Sequence, residues 1–223
     1  VHEVRNPLTT VMMGLNALHN TQLDERNTMR LGLALGEAQR LESLLNEILL
    51  YAKPQTLQTT SVNLAQLTRD VVATLQAQPL AQNRSIVLKN LPQNILVQGD
   101  ADKLKQVLIN LIGNACEAID PGNTVTCHLE ETLQQVHLRI HNGGTPIPAD
   151  ILPKLTQPFF TTKNTGTGLG LPIVKRIVEA HQGLFKIEST TGNGTTTTVT
   201  LNTLPNGKYL DDAEPNVLHQ VNH

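Results

Sequence analysis

The sequence predicts an α+β chain, with an antiparallel helical hairpin (half of a dimeric four-helix bundle) followed by an α/β sandwich domain. Three observations predict it. Apolar residues recur every three or four positions over the first fifty residues, the stripe of helices packed lengthwise. The pattern after Val62 changes to helices interleaved with short strands. The late strands lie close together in sequence, which favours a sheet covered by helices on one face.

The elements follow in order. Val1, Val4, Leu8, Val11, Leu15 and Leu18 form the stripe of a first helix. Asp24 is placed to cap a second, whose stripe is Ala34, Ala38, Leu41, Leu45, Ile48 and Ala52. One hairpin has too little interior to bury both stripes, and pairing two hairpins would cover them, so a homodimer is expected. Residues 1–53 are therefore read as the hairpin domain. Pro54 ends its second helix, and 54–61 reads as a linker. The second domain spans 62–204. It is expected to hold an amphipathic helix over Leu64–Leu75, strands at Ser85–Lys89 and Ile95–Val97, and a strong helix over Asp102–Ile119. Strands at Thr124–Glu130 and Gln135–His141, a helix over Leu171–Ala180, and strands at Leu184–Glu188 and Thr196–Leu201 complete it. The tail, 205–223, is polar and expected to be poorly ordered.

Composition narrows the function. With 223 residues, 39% of them hydrophobic, the chain can build one large core or two small ones. Net charge is -2 and the basic residues are scattered, which argues against a nucleic-acid partner. Cys116 and Cys127 have neither zinc nor disulfide-framework spacing, so a reducing compartment is expected. No apolar run approaches the ~20 residues of a membrane span. The sequence opens at Val1-His2 without an initiator Met and reads as a fragment. A cytoplasmic location is expected for it, with any sensor or membrane region lying elsewhere in a longer protein.

Three segments carry chemistry. In His2-Glu3-Val4-Arg5-Asn6-Pro7-Leu8, His2 lies one step off the apolar stripe, Glu3 is its neighbour, and Asn6 falls one turn further on. An unprotonated imidazole nitrogen can attack a phosphoryl group while a nearby carboxylate orients the ring and takes its other proton. Pro7 loosens the helix beside it. Alone, such a histidine is more often an ordinary surface residue. On the strong helix, Leu104, Val107, Leu108, Leu111, Ala115 and Ala118 form an expected buried face. Lys103, Gln106, Asn110, Asn114 and Glu117 form the opposite one, where two amides four apart can offer oxygens to Mg2+. Third, Pro158-Phe159-Phe160-Thr161-Thr162-Lys163 runs into Gly166-Thr167-Gly168-Leu169-Gly170 at a helix start. Freed backbone amides there, with the helix dipole and Lys163, can cradle phosphates.

The order of these segments closely resembles the H, N, G1, F and G2 boxes of sensor histidine kinases. They read His-Glu-x-x-Asn-Pro-Leu, Asn-x-x-x-Asn-Ala, an Asn-Gly-Gly loop, Pro-Phe-Phe-Thr-Thr-Lys and Gly-Thr-Gly-Leu-Gly-Leu. The resemblance covers about residues 1 to 204, and five boxes in order are far more specific than any one. It implies a two-component enzyme that uses ATP and Mg2+ to phosphorylate His2. The phosphoryl group then passes to an Asp of a response regulator receiver domain, with phosphatase activity toward that partner as a further expectation. Residue by residue, it implies His2 as phospho-acceptor, Glu3 as acid/base neighbour, and Asn6 as placing water for dephosphorylation. Asn114 is the implied Mg2+ ligand with Asn110 as companion. Asn142 and Gly144 lie in the adenine loop. Lys163, Gly166, Thr167, Gly168, Leu169 and Gly170 form the phosphate-binding turn, and Pro153 to Gly166 a lid packed down by Phe159 and Phe160.

One box departs from the family. The adenine loop usually reads Asp-x-Gly-x-Gly, and here it is Asn142-Gly143-Gly144-Thr145-Pro146. An amide oxygen can still accept the adenine amino group, but charge-assisted bonds are roughly twice as strong. The departure sets a degenerate pseudokinase or signalling scaffold against an active kinase, and the other, intact boxes favour activity. An ATPase clamp of the chaperone or topoisomerase class is the third reading, and the His2 helix argues against it. His219 and His223 stand four apart without a third metal ligand nearby, Cys127-His128 reads as a strand pair rather than a site, and His19, His137, His141 and His181 show no partner pattern.

Overall fold

The computed structural model describes residues 2–19, 21, 23–52, 56–78, 81–163 and 166–204. Residue 53 of the hairpin domain, the expected linker residues 54–55, residues 164–165 before the glycine run, and the tail with His219 and His223 lie outside the described residues. The chain forms two compact units. One takes the chain up to Thr56 together with Ile147–Ile177; the other takes Leu57–Pro146 and the chain from Val178.

The first unit is built on an antiparallel pair, α1 (His2–His19) and α2 (Glu25–Ala52). Asp24 caps α2 as expected: its Oδ1 accepts the Asn27 amide at 2.7 Å, satisfying a donor that the first turn leaves unpaired. Along α2, only Leu31 and Ala38 are buried. Val11 and Leu41 are each 54% exposed and Leu18 is 50%, so the stripes that a hairpin should hide remain open in a single chain. The unit also holds a 3-10 turn (Leu152–Lys154) and the start of α5 (Gly170–Ala180), whose Ile173, Val174 and Ile177 are buried.

The second unit contains β1 (Thr60–Asn63), α3 (Leu64–Gln76), β2 (Ser85–Lys89), β3 (Leu96–Gly99), α4 (Ala101–Glu117), β4 (Thr124–Glu131), β5 (Gln135–Asn142), β6 (Leu184–Thr190) and β7 (Gly194–Asn202). Among the described residues β1 pairs antiparallel with β3, and a five-stranded sheet runs β2-β4-β5-β7-β6 with only β2 and β4 parallel. α3 packs on β2, and α4 packs on β4 and β5. Alternation sets the layers: Val125, Cys127 and Leu129 of β4 and Val136, Leu138 and Ile140 of β5 are buried, while residues between them face the other side.

Three expectations need correction. β1 falls partly in the segment read as linker, because four residues carry no periodic signal until β3 pairs with them. Ala118 is exposed rather than part of the buried face of α4, since it is the C-cap residue and the helix ends at Glu117. Phe159 is 61% exposed at φ 66° and does not pack the lid down, and Phe160 is only half-buried.

Candidate active site

Asp100 organises the start of α4. Its Oδ1 accepts the Asp102 and Lys103 amides, each at 3.1 Å, and its Oδ2 accepts the Gln58 amide at 3.0 Å. Burial works against the charge of this carboxylate. The Gln58, Lys103 and Asp102 amides and the Lys103 ammonium outweigh it and hold the pKa below the ordinary 3.8. The Asp100 amide donates to Nε2 of the buried His181 at 3.0 Å. His181 is thus a core acceptor that fixes the helix start, a role its surroundings in sequence did not reveal. Asp100 itself was legible as a capping residue one step before an apolar helix.

α4 so anchored turns Leu104, Val107, Leu108 and Leu111 inward. Lys103, Gln106, Asn110 and Asn114 are half-exposed on another side. Asn110 and Asn114 lie one turn apart there, hard-oxygen donors that suit Mg2+. Asn142 ends β5 and is buried, 6% exposed. Its side-chain nitrogen donates to the Gly143 carbonyl at 2.6 Å, which leaves Oδ1 as the atom able to accept from a base amino group. Gly144 follows at φ 95°, where an added Cβ would lie 2.5 Å from the Ala118 carbonyl oxygen. Only glycine lets the loop pass so close to the end of α4. The second unit therefore brings Asn142 and Gly144 against the C-terminal end of the helix that carries Asn110 and Asn114.

The glycine run lies in the first unit. Gly168, at φ 70°, would place a Cβ 2.6 Å from the Phe159 carbonyl carbon and 2.7 Å from the Phe160 carbonyl oxygen. Its own carbonyl accepts the Phe159 amide at 3.1 Å, which links the Phe-Phe segment to the glycine turn. Leu169 is fully buried, and its carbonyl accepts the Ile173 amide at 2.9 Å in the first turn of α5. The amides that open this helix have no partner within it, which is what a phosphate needs. Lys163 is exposed, its amide bonded to the Thr161 hydroxyl at 3.1 Å.

Two contacts that no local motif announced join this turn to α2. The Thr167 hydroxyl donates to the Glu47 carboxylate and accepts the Leu169 amide at 3.3 Å. The Arg176 guanidinium donates to the Tyr51 carbonyl and lies 4.8 Å from the centre of the Tyr51 ring. The partners are more than a hundred residues apart, so spacing could not have paired them. On α1, the backbone of His2, Glu3 and Asn6 is helical and Pro7 lies inside the helix.

The fold thus joins a helical hairpin to a helix-covered sheet that carries glycine-bearing loops. The His Kinase A (phospho-acceptor) domain family matches residues 1–57. The family described as histidine kinase-, DNA gyrase B-, and HSP90-like ATPase matches residues 99–205. The catalytic domain of histidine kinase ThkA is 32% identical, with a TM-score of 0.60 over 65% of this chain and 95% of that one. The chain belongs to the histidine kinase family.

Sporulation kinase C of Bacillus subtilis is 36% identical over 202 residues, 90% of this chain and 46% of that protein. Sensor histidine kinase ZraS of Escherichia coli is 33% identical over 203 residues, 90% of this chain and 43% of that protein. The chain spans about half or less of the curated relatives it matches. ThkA in complex with response regulator protein TrrA aligns with a TM-score of 0.67 and 29% identity over 93% of this chain and 60% of that one. No helix among the described residues is long and apolar enough to cross a membrane.

Proposed function

We propose that this chain is the catalytic core of a two-component sensor kinase that transfers the γ-phosphoryl group of ATP to its own His2 and then to an Asp of a receiver domain. The observation that carries the reading is the presence, in one chain, of a phospho-acceptor match over 1–57 and an ATPase match over 99–205. An ATPase clamp would lack the first.

In this reading the lone pair of a His2 ring nitrogen forms the new bond to phosphorus as the bond to the bridging oxygen breaks and ADP leaves. Glu3 orients the ring and takes the proton from its other nitrogen. Asn142 accepts from the adenine amino group. The turn of Gly166, Thr167, Gly168, Leu169 and Gly170, with Lys163, holds the phosphates. Asn114 and Asn110 would hold Mg2+, which neutralises phosphate charge when bound. Asn6 places the water that releases phosphate from the partner. The hairpin domain is 1–53, and residues 62–204 form the catalytic domain. The open stripes of α1 and α2 support a homodimer that buries Val11, Leu18 and Leu41.

Incubation with Mg·ATP tests the reading: it expects acid-labile, base-stable phosphate on the chain that His2→Ala abolishes. ATP turnover with no phosphoprotein would instead support the ATPase clamp. Calorimetry showing no binding of an ATP analogue would support a degenerate scaffold.

A further inference from the structure

The face of the five-stranded sheet turned away from α3 and α4 carries a pocket unrelated to the residues assigned above. Register places its side chains in rows. Lys89 of β2, His128 of β4, Arg139 of β5, Thr198 of β7 and Lys186 of β6 stand side by side across all five strands. The next row on the same face is Val87, Thr126, His141, Thr196 and Glu188. Between the rows lies a solvent-open depression of ≈ 290 Å³ lined by Lys89, His128, Arg139 and His141, with Thr126, Thr196 and Asn90 at its wall.

The lining chemistry selects the ligand. Every lining side chain can donate a hydrogen bond, two are permanent cations, and no carboxylate lines the cavity. The Nδ1 of His141 is committed to the Thr196 hydroxyl at 3.1 Å, so the ring is held by one nitrogen and presents the other, Nε2. Arg139 keeps its place through Glu130, at 2.5 Å on the neighbouring strand, and its planar group has further N–H donors. Lys186 is engaged with Glu188 at 2.7 Å and does not line the site, so Lys89 and the N–H donors that Arg139 does not give to Glu130 are the cationic groups there. A metal ion does not suit the site. Two cations border it, and among the described residues no group of three His, Cys, Asp or Glu side chains could hold one.

We propose that this sheet face binds a small phosphate-type oxyanion, held by Lys89 and Arg139 with His128, the Thr126 hydroxyl and Nε2–H of His141 as donors, the Thr196 hydroxyl donating to His141 Nδ1. Because the depression is open to solvent, it can admit a small phosphate ester as well as the free ion. Alternating β5 residues separate this function from the nucleotide loop. Arg139 and His141 serve the open face, whereas Ile140 and Asn142 are buried toward the helices.

The test follows the imidazole signals of His128 and His141 by nitrogen-edited NMR on the whole chain. The probes are inorganic phosphate, glycerol phosphate and succinate, against sodium chloride at matched ionic strength and pH. Saturable shifts with either phosphate are expected, and the tighter of the two identifies free ion or ester. Lys89→Ala combined with Arg139→Ala should weaken binding at least about tenfold, the scale of losing one charged hydrogen bond. Thr126→Val, a smaller change at the same wall, should weaken it less. Shifts linear in concentration, shifts equal in the double variant, or succinate binding as tightly as phosphate would each overturn the proposal. The readout needs no kinase activity, so it stands or falls apart from the function proposed above.

Discussion

Helices α2 and α4 solve the same burial problem in opposite ways. α4, with 17 residues, buries Leu104, Val107, Leu108, Leu111, Ile112, Ala115 and Cys116 within its own chain. α2, with 28 residues, buries only Leu31 and Ala38. Leu41 at 54% exposure and Leu33 at 65% show how much apolar surface the longer helix leaves to water. A helix that carries a full stripe and hides so little of it leaves an apolar face open to water. This contrast supports the proposed homodimer, in which the hairpin of a second copy would cover the open stripe.

The largest change should come from Leu111→Ala. The residue is 2% exposed, and its truncation should cost about 2–5 kcal/mol by chemical denaturation, independent of protein concentration. Leu41→Ala is the matched change on α2. It should leave the monomer nearly unaffected and shift the monomer–dimer equilibrium in light scattering or sedimentation. Equal, concentration-independent losses at both sites would break the comparison.

Gly144→Ala comes next, with a predicted cost of about 1–3 kcal/mol from its positive φ and the Ala118 carbonyl. Weaker binding of an ATP analogue in calorimetry should accompany it. Asp100→Ala should cost about 1 kcal/mol as a lost helix cap. Because the folded pKa of Asp100 is depressed, its stabilisation is present above the unfolded value and is lost as pH falls through the folded one. Unfolding followed from pH 6 down to pH ~2 should show a steeper stability loss in the wild type than in Asp100→Ala. The smallest equilibrium effect is expected at Thr167→Val, which removes the bond to Glu47 and should change stability by about 1 kcal/mol or less. Cys127 sharpens the picture from another side. Burial pushes its thiol up to about 12, so alkylation at neutral pH should be slow until the sheet unfolds.

The sheet and its helices were legible because period-2 and period-3.6 patterns survive in single segments. The helix expected over Asp102–Ile119 forms as Ala101–Glu117, shifted only by its caps Asp100 and Ala118. β7 is longer than expected, Gly194–Asn202, because its threonine run has no hydrophobic alternation and its pairing with β5 and β6 defines it. β1 was missed for the same reason. The glycines were readable as a motif, but the reason Gly144 and Gly168 must be glycine lies in backbone contacts that no spacing encodes. The Glu47 and Tyr51 partnerships with Thr167 and Arg176 were beyond reach, since they join residues more than a hundred positions apart. The open sheet face was similarly hidden. His128 and His141 looked partnerless until register put them beside Lys89 and Arg139.

The most direct test of the central claim locates the phosphoryl group itself. After incubation with Mg·ATP, peptide mass spectrometry under neutral conditions should find a phosphoramidate on His2 and on no other histidine, and transfer to a receiver-domain Asp should remove it. Phosphate on His19 or on a hydroxyl side chain, with His2 unmodified, would contradict the account.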